Sequence, residues 1–144
     1  MSSRARCRGF TLIEVALVCV LLALLTAMAL RPLRGELDRL AVRDAVRAAA
    51  LAIAQARNEA LARRAIVSVR IDTLAGTLAL RSGGRTLRAF ALAHSYGVSV
   101  STTRDSIAFD VRGLGYGAAN LTLIARRGGA ADTLVVSRLG RTRS

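Results

Sequence analysis

The feature that most constrains the fold of this chain is an apolar segment near the N-terminus. Residues 10–30 are almost entirely Leu, Val, Ala, Ile and Met, and Glu14 is the only charged residue among them. As an α-helix rising about 1.5 Å per residue, the segment would be about 31 Å long, which matches the ~30 Å hydrocarbon core of a bilayer. The segment therefore predicts a helix that crosses a membrane once.

A secretory signal peptide is the alternative explanation for this segment. Such a peptide also places a basic region before an apolar core, and here Arg4, Arg6 and Arg8 precede the apolar run. Its core is usually about 7–15 residues long and ends at a cleavage site of small residues. The run in this chain, from Phe10 to Leu30, is longer than such a core. We therefore favour a membrane helix that is retained.

Glu14 is the unusual residue within this helix. A carboxylate at the centre of a bilayer costs about 3 kcal/mol on insertion scales, so an ionisable residue there indicates a function. The alternative is that Glu14 lies at the depth of the lipid head groups and reaches water. On the first interpretation, Glu14 needs a positively charged partner inside the membrane.

Residues 8–15, Arg-Gly-Phe-Thr-Leu-Ile-Glu-Val, resemble the N-terminal signature of type IV pilins and of the pseudopilins of type II secretion. The resemblance implies that a prepilin peptidase cuts between Gly9 and Phe10 and methylates the new N-terminal Phe10. It also implies that Glu14 pairs with the N-terminus of a neighbouring pilin subunit during filament assembly. Lipid cannot solvate the carboxylate of Glu14, so the ammonium group of an adjacent subunit would stabilise it strongly.

Charge alone does not orient the predicted membrane helix. Three Arg residues precede the helix and four follow it closely, so the positive-inside count is nearly balanced; the four are Arg31, Arg34, Arg39 and Arg43. Orientation follows from the resemblance, which implies a single-pass protein of the bacterial inner membrane. Its leader would be cytoplasmic and its folded domain periplasmic until the subunit enters a pilus filament.

The remainder of the chain predicts an α+β fold. Residues 31–64 carry an apolar stripe at helical spacing, with Pro32 and Gly35 predicting a bend near its start. From Ala65 the apolar period changes to two, which indicates strands. Seven strands are predicted, at residues 65–71, 77–81, 86–92, 98–101, 106–111, 120–126 and 133–139. The Gly-rich segments 82–85, 113–117 and 128–129 are predicted turns or loops.

The chain is thus predicted to have four parts. They are a cleaved leader (1–9), a transmembrane helix half (10–30), an amphipathic helix half (31–64) and an antiparallel β domain packed on that second half (65–144). Residues 109–113, Phe-Asp-Val-Arg-Gly, the Gly-rich loop, the last two strands and the ending Gly-Arg-Thr-Arg at 140–143 resemble the GspH/FimT group. This resemblance implies a type IV pilin-like fold.

Two functions are implied by that group. One is a minor pilin of a type IV pilus, of which some members bind DNA for natural transformation through a C-terminal G-R-x-R motif. The other is a GspH-like minor pseudopilin with a structural role at the tip of the secretion pseudopilus and with protein partners only. Residues 140–143 match the G-R-x-R motif, which favours the first function.

The charge of the chain agrees with a polyanionic partner. The net charge is +13, and all 22 basic residues are Arg. Such an excess points to nucleic acid, an anionic surface or an acidic partner. In an extended tail, side chains two residues apart share a face and lie about 6.6 Å apart, which suits two contacts to a phosphate backbone. The predicted contacts to double-stranded DNA are Arg141 and Arg143 with Gly140, then Arg138, and outside the tail Arg126 and Arg127.

For each of these Arg residues the alternative is an ordinary solvated surface side chain. Aromatic residues make up only 3% of the chain and are scattered, so a base-stacking platform is not expected and DNA contact should be electrostatic and sequence-tolerant. His94 is the only His, and residues 31–144 contain no Cys. With no metal-ligand cluster and no nucleophile–base pattern, the sequence predicts neither an enzyme nor a metal or cofactor site.

Overall fold

The computed structural model describes residues 11–117, 120–137 and 141–143. The elements follow the order α1 (Leu12–Arg63), β1 (Val67–Asp72), β2 (Thr77–Ser82), β3 (Arg85–Ala91), α2 (Leu92–Tyr96), β4 (Ser99–Thr102), β5 (Ser106–Phe109), β6 (Gly115–Tyr116), β7 (Leu121–Arg127), β8 (Ala130–Val136) and β9 (Thr142–Arg143). The chain forms two compact units, Met1–Arg34 and Gly35–Ser144. The predicted order of one long helix followed by strands is confirmed.

In the first unit, α1 is long and apolar enough to cross a membrane. Every side chain from Thr11 to Ala29 is exposed. The helical backbone continues through Pro32 and Gly35 and ends at Arg63, so the helix does not stop at either residue. The predicted bend at that point and the predicted four-part division of the chain stay predictions.

In the second unit, the strands form two antiparallel sheets. The first sheet has the strand order β3-β2-β1-β5-β6, and the second has the order β4-β7-β8-β9. The predicted turn at residues 82–85 is present, because Gly83 and Gly84 have φ of 53° and 81° between the paired strands β2 and β3. Two consecutive positive φ values are the requirement of a type I′ hairpin.

The core of this unit lies between the second half of α1 and both sheets. The helix contributes a face of residues spaced three or four apart, as expected for one buried side: Val42, Ala45, Val46, Ala49, Ala52, Ile53, Ala56 and Ala60. The sheets contribute alternate residues of their strands, which face inward, including Phe109 at 0% exposure. Five of the eight residues on this helix face are Ala, so most of the large apolar side chains of the core come from the strands.

All seven predicted strands are present, with shifted limits. The predicted third strand ends one residue early, because Leu92 is buried as the first residue of the helix α2, which Gly97 closes at φ 64°. The two-residue strand β6 lies within the predicted loop 113–117. The predicted strand 133–139 begins at Ala130 and ends at Val136. The chain then returns as β9, while residues 138–140 lie outside the described residues.

Candidate assembly and nucleic-acid sites

The predicted cleavage and methylation site at Gly9 and Phe10 lies outside the described residues. The structure does show how the helix begins just after it. The backbone N–H of Glu14 donates to the hydroxyl of Thr11 at 3.3 Å and to the carbonyl of Thr11 at 3.0 Å. Thr11 is therefore the N-cap of α1, and the Thr-x-x-Glu spacing is that of a capping box. The Thr-x-x-Glu spacing at residues 11–14 is a sequence signal for this helix start.

Glu14 lies in the first turn of α1 and is exposed. A carboxylate at this position is favoured by the positive end of the helix dipole. Its neighbours Leu12 and Ile13 are 88% and 78% exposed. Among the described residues Glu14 has no ion pair. The local geometry thus tolerates the charge at the helix start, and the side chain of Glu14 is accessible to a partner.

The C-terminal Arg residues lie on an edge strand of the second sheet. In β9, Arg143 pairs with Val135 and Thr142 with Val136. Val135 is 46% exposed and Val136 is 1% exposed, so Arg143 shares the outward face of the sheet with Val135. The backbone N–H of Ser137 donates to the carbonyl of Arg141 at 2.8 Å. This bond continues the β8–β9 ladder, so the side chains of Arg141 and Arg143 are on the same face of the sheet.

Arg126 lies on the same outward face. Its partner on β8 is Ala131, four residues before Val135. With about 3.3 Å per residue along a strand and about 4.8 Å between strands, the Cα atoms of Arg126 and Arg143 are about 16 Å apart. The other described outward positions on β4, β7 and β8 are uncharged: Ser99, Ser101, Thr122, Ile124, Ala131, Thr133 and Val135. Among the described residues of this face, none carries a negative charge that would repel a polyanion.

We name this surface the outer Arg face and define it by Arg126, Arg141 and Arg143. All three residues are exposed. Within the described ranges, none of their side chains makes an ion pair or a hydrogen bond. Their guanidinium groups are therefore available for charge-assisted bonds to phosphate. The other predicted tail residues, Arg138 and Gly140, lie outside the described residues.

Arg127 is placed differently from its neighbour. Its side chain is on the inner face of β7, the same face as the buried residues Leu123 and Ala125. Its guanidinium group contacts α1. Nε lies 3.0 Å from a carboxylate oxygen of Asp38, and an Nη donates to the carbonyl of Tyr96 at 2.7 Å. The sequence placed Arg126 and Arg127 together beside a turn, whereas the strand directs them to opposite sides.

A tightly bonded turn follows Phe109. The carboxylate of Asp110 accepts the backbone N–H groups of Arg112 at 2.9 Å and Leu114 at 2.8 Å. The hydrogen bond from the N–H of Leu114 is the largest cause that lowers the pKa of Asp110 below 3.8. Partial burial of the carboxylate opposes this shift, and the hydrogen bonds and the charge of Arg112 add to it. Gly113 has φ 71° and sits against Leu61. The Asp-Val-Arg-Gly part of the sequence motif therefore serves to fold this turn against the helix.

Metal-binding clusters of His, Cys, Asp or Glu are absent from the part of the chain that the structure describes. His94 is exposed on α2, and Cys19 is exposed on the apolar half of α1. Among the described residues, neither belongs to a cluster of metal ligands.

Comparisons with known proteins agree with this architecture. Residues 4–30 match the model of the prokaryotic N-terminal methylation motif. Residues 45–140 match the model described as type II transport protein GspH. A comparison with curated protein sequences found no match.

Three solved structures share the fold. The type IV minor pilin FimU of Pseudomonas aeruginosa is similar in two crystal forms, with TM-scores of 0.62 and 0.57 at 18% identity; the aligned regions cover 74% and 70% of this chain and 89% and 90% of FimU. The minor pseudopilin EpsH from the type 2 secretion system of Vibrio cholerae has a TM-score of 0.54 at 12% identity. That alignment covers 71% of this chain and 94% of EpsH.

These matches confirm the type IV pilin-like α+β fold and the suspected resemblance to pilins and pseudopilins. Proteins of this kind are structural components of filaments and not enzymes. Because the GspH model matches about two thirds of the sequence, the chain belongs to the GspH family of pilin-like proteins.

Proposed function

We propose that this chain is a minor pilin of a type IV pilus that binds double-stranded DNA without sequence preference through the outer Arg face. The observation that supports the proposal is the placement of Arg126, Arg141 and Arg143 on one exposed face whose other described positions are uncharged. Guanidinium groups bind phosphate oxygens well. The face offers hydroxyl groups of Ser and Thr as further donors.

The dimensions of the face suit a duplex. DNA carries one phosphate per about 3.4 Å of helix axis on each strand, so the 16 Å between Arg126 and Arg143 would cover about five phosphates of one strand. The side chains need not read bases, because phosphate contacts position a protein without specifying sequence. Binding of this kind would capture DNA of any sequence, as uptake of extracellular DNA requires.

Assembly is the second part of the proposal. The methylation motif implies that prepilin peptidase cuts between Gly9 and Phe10 and methylates Phe10, and that other pilin subunits are the partners of the mature helix. In an apolar environment Glu14 would pair with the new N-terminus of the adjacent subunit. Before assembly, the apolar half of α1 would anchor the chain in the inner membrane with its folded domain in the periplasm.

The test of DNA binding is a mobility-shift titration of the full chain in a non-ionic detergent. The triple variant Arg126→Ala/Arg141→Ala/Arg143→Ala removes the outer Arg face. With a slope of about 0.9 per phosphate contact, it should reduce the dependence of log K on log[salt] by about 2.7 and weaken binding at 50 mM salt. The matched control is Arg70→Ala/Arg85→Ala/Arg104→Ala, which removes the same charge from exposed positions elsewhere.

The two sets of variants separate the explanations. A loss confined to the triple variant of the outer face supports the proposal. Equal losses in both sets would show that only net charge matters, and binding unchanged in the triple variant would refute the site.

The second candidate is a structural minor pseudopilin of type II secretion. It is favoured by the match to the GspH model and by the fold shared with EpsH. On this alternative, the wild-type chain would not bind DNA at 50 mM salt, and deletion of its gene would abolish protein secretion. Gene neighbourhood gives an independent check, since pilus and competence genes favour the first function and secretion genes the second.

A further inference from the structure

A groove separates the second half of α1 from the beginning of β8. It has a volume of about 580 Å³. One wall is the helix, which presents Arg39, Arg43 and Arg47 at intervals of four residues and thus on one side. The other wall is the chain from Gly129 to Asp132. The groove is lined by the helix and by the edge of β8, so Arg126, Arg141 and Arg143 do not line it, although Ala131 borders both surfaces.

The wall formed by β8 is an unpaired strand edge. β9 pairs only with Val135 and Val136, and within the described ranges no strand pairs with residues 130–134 on that side. The hairpin of β7 and β8 has a two-residue turn, so Arg127 and Ala130 form a hydrogen-bonded pair and the ladder alternates from there. The N–H and C=O groups of Ala131 and Thr133 therefore point to the open edge.

One group on this edge is already satisfied. The carboxylate of Asp132 accepts the N–H of Thr133 at 2.7 Å. The N–H of Ala131 and the carbonyls of Ala131 and Thr133 are left, which is one donor and two acceptors on an unpaired strand edge. A partner that satisfies all of them must itself supply both acceptors and donors at strand spacing, which a polypeptide backbone does.

The helix wall determines the charge of that partner. Among the described residues, Arg43 has no ion pair or side-chain hydrogen bond. Arg39 pairs with Glu36 and Arg47 with Asp44, but all four side chains are more than half exposed. Exposed pairs of this kind contribute about 0–1 kcal/mol and exchange readily for a new carboxylate. With three Arg against the single Asp132, the lining of the groove favours an acidic ligand.

We propose that this groove binds an extended, acidic segment of a partner protein, which adds as a strand to the open edge of β8 and places carboxylates against Arg39, Arg43 and Arg47. Strand addition supplies affinity through the backbone, and the alternate side chains supply specificity. A phosphate backbone fits less well, because it has only acceptors and would face the carbonyls of Ala131 and Thr133. The groove is thus a protein-docking site that is independent of DNA binding.

The probe is a fluorescein-labelled, eight-residue peptide of alternating valine and glutamate, titrated into the full chain in non-ionic detergent and followed by anisotropy. Two peptides of the same length serve as controls. One replaces glutamate by glutamine and removes the charge, and the other carries N-methyl groups on all its backbone amides, so that it has no N–H to donate to a strand edge. Binding of the first peptide and at least about tenfold weaker binding of both controls are expected.

Two protein variants complete the test. Arg43→Ala removes the unpaired cation, and Ala131→Pro removes an N–H that faces the open edge without touching the ladder to β7. Each should weaken binding of the valine–glutamate peptide about tenfold or more, whereas Arg104→Ala should not. The N-methylated peptide tests the edge even if Ala131→Pro does not fold.

Three results would overturn the proposal. They are equal binding of the glutamine peptide, equal binding of the N-methylated peptide, and binding that Arg43→Ala leaves unchanged. A fourth result would assign the groove to nucleic acid instead: displacement of the peptide by double-stranded DNA, together with weaker DNA binding in Arg43→Ala. Because Arg43→Ala leaves Arg126, Arg141 and Arg143 unchanged, failure here is distinguishable from failure of the DNA proposal.

Discussion

Arg126 and Arg127 form a matched pair for testing the placement of the outer Arg face. They are the same residue type, adjacent in β7, and the strand directs them to opposite sides. Arg126 is exposed without a side-chain partner among the described residues, whereas Arg127 bonds to the carboxylate of Asp38 and the carbonyl of Tyr96. Replacing Arg127 by Ala should therefore lower stability and spare DNA binding, whereas replacing Arg126 by Ala should weaken DNA binding and spare stability.

The magnitude for Arg127→Ala follows from its two contacts. A hydrogen bond from a charged donor contributes about 1.5–3 kcal/mol. The ion pair to Asp38 is partly exposed, at 42% for Arg127 and 27% for Asp38, so it adds no more than about 1 kcal/mol. A loss of about 2–3 kcal/mol is expected. For a domain near 110 residues this corresponds to a fall in Tm of about 8–12 °C.

Arg126→Ala should leave stability within about 0.5 kcal/mol, as for other surface positions without such contacts. It should instead reduce the slope of log K for DNA against log[salt] by about 0.9. Arg127→Ala should leave that slope unchanged at a temperature where the variant is folded.

The assay combines thermal unfolding of the full chain in detergent, followed by circular dichroism, with the DNA titration across salt. Asp38→Ala and the double variant with Arg127→Ala complete a cycle that isolates the ion pair. A Tm of Arg127→Ala within 2 °C of the wild type, with a reduced salt slope, would show that Arg127 contacts DNA and would refute the structural role. A large fall in Tm for Arg126→Ala would refute the outward placement.

Three further results are expected. Glu14→Ala should insert into membranes normally, because it removes a costly charge, yet enter filaments poorly. Immunoblots of membrane and sheared-pilus fractions would measure both properties. Normal incorporation into filaments would contradict the pairing of Glu14 with a neighbouring N-terminus. Phe109→Ala should lower the free energy of unfolding by about 3–5 kcal/mol in denaturant titrations, since the ring is fully buried; a smaller loss would show that the core collapses around the site. Asp110→Asn should be less stable than the wild type above about pH 5, and the difference should shrink as the pH falls below 3.8, because the folded state lowers this pKa; a difference that does not change with pH would contradict that origin.

Local sequence signals predicted most of the fold. The apolar run after Phe10 predicted the helix, and alternation with Gly-rich turns predicted the strands. The signals failed where an element was short or where packing decided its type. The helix α2 replaces the end of a predicted strand because Leu92 is needed in the core, and the signal that could have shown it was Gly97, which closes the helix with a positive φ.

The candidate site shows the same division between local and tertiary information. The ending Gly-Arg-Thr-Arg indicated a basic tail, but its return as a strand beside Val135 and Val136 depends on pairing that no local pattern encodes. The separation of Arg126 from Arg127 was within reach, because buried residues alternate through Leu121, Leu123 and Ala125 and place Arg127 inward. The adjacent Gly128-Gly129 is the stronger local signal and predicts only the turn.

The Ala-rich buried face of α1 has a consequence for how the domain responds to substitution. Ala loses no rotamer entropy on burial and gains little from it, so each of Ala45, Ala49, Ala52, Ala56 and Ala60 is a weak contributor to stability by itself. Each also sets a spacing, because a larger side chain would have to push a strand away from the helix. Sequence change along this face should therefore be limited by steric exclusion. A homologue could replace one of these Ala residues by a larger residue only if the strand residue opposite it were replaced by a smaller one.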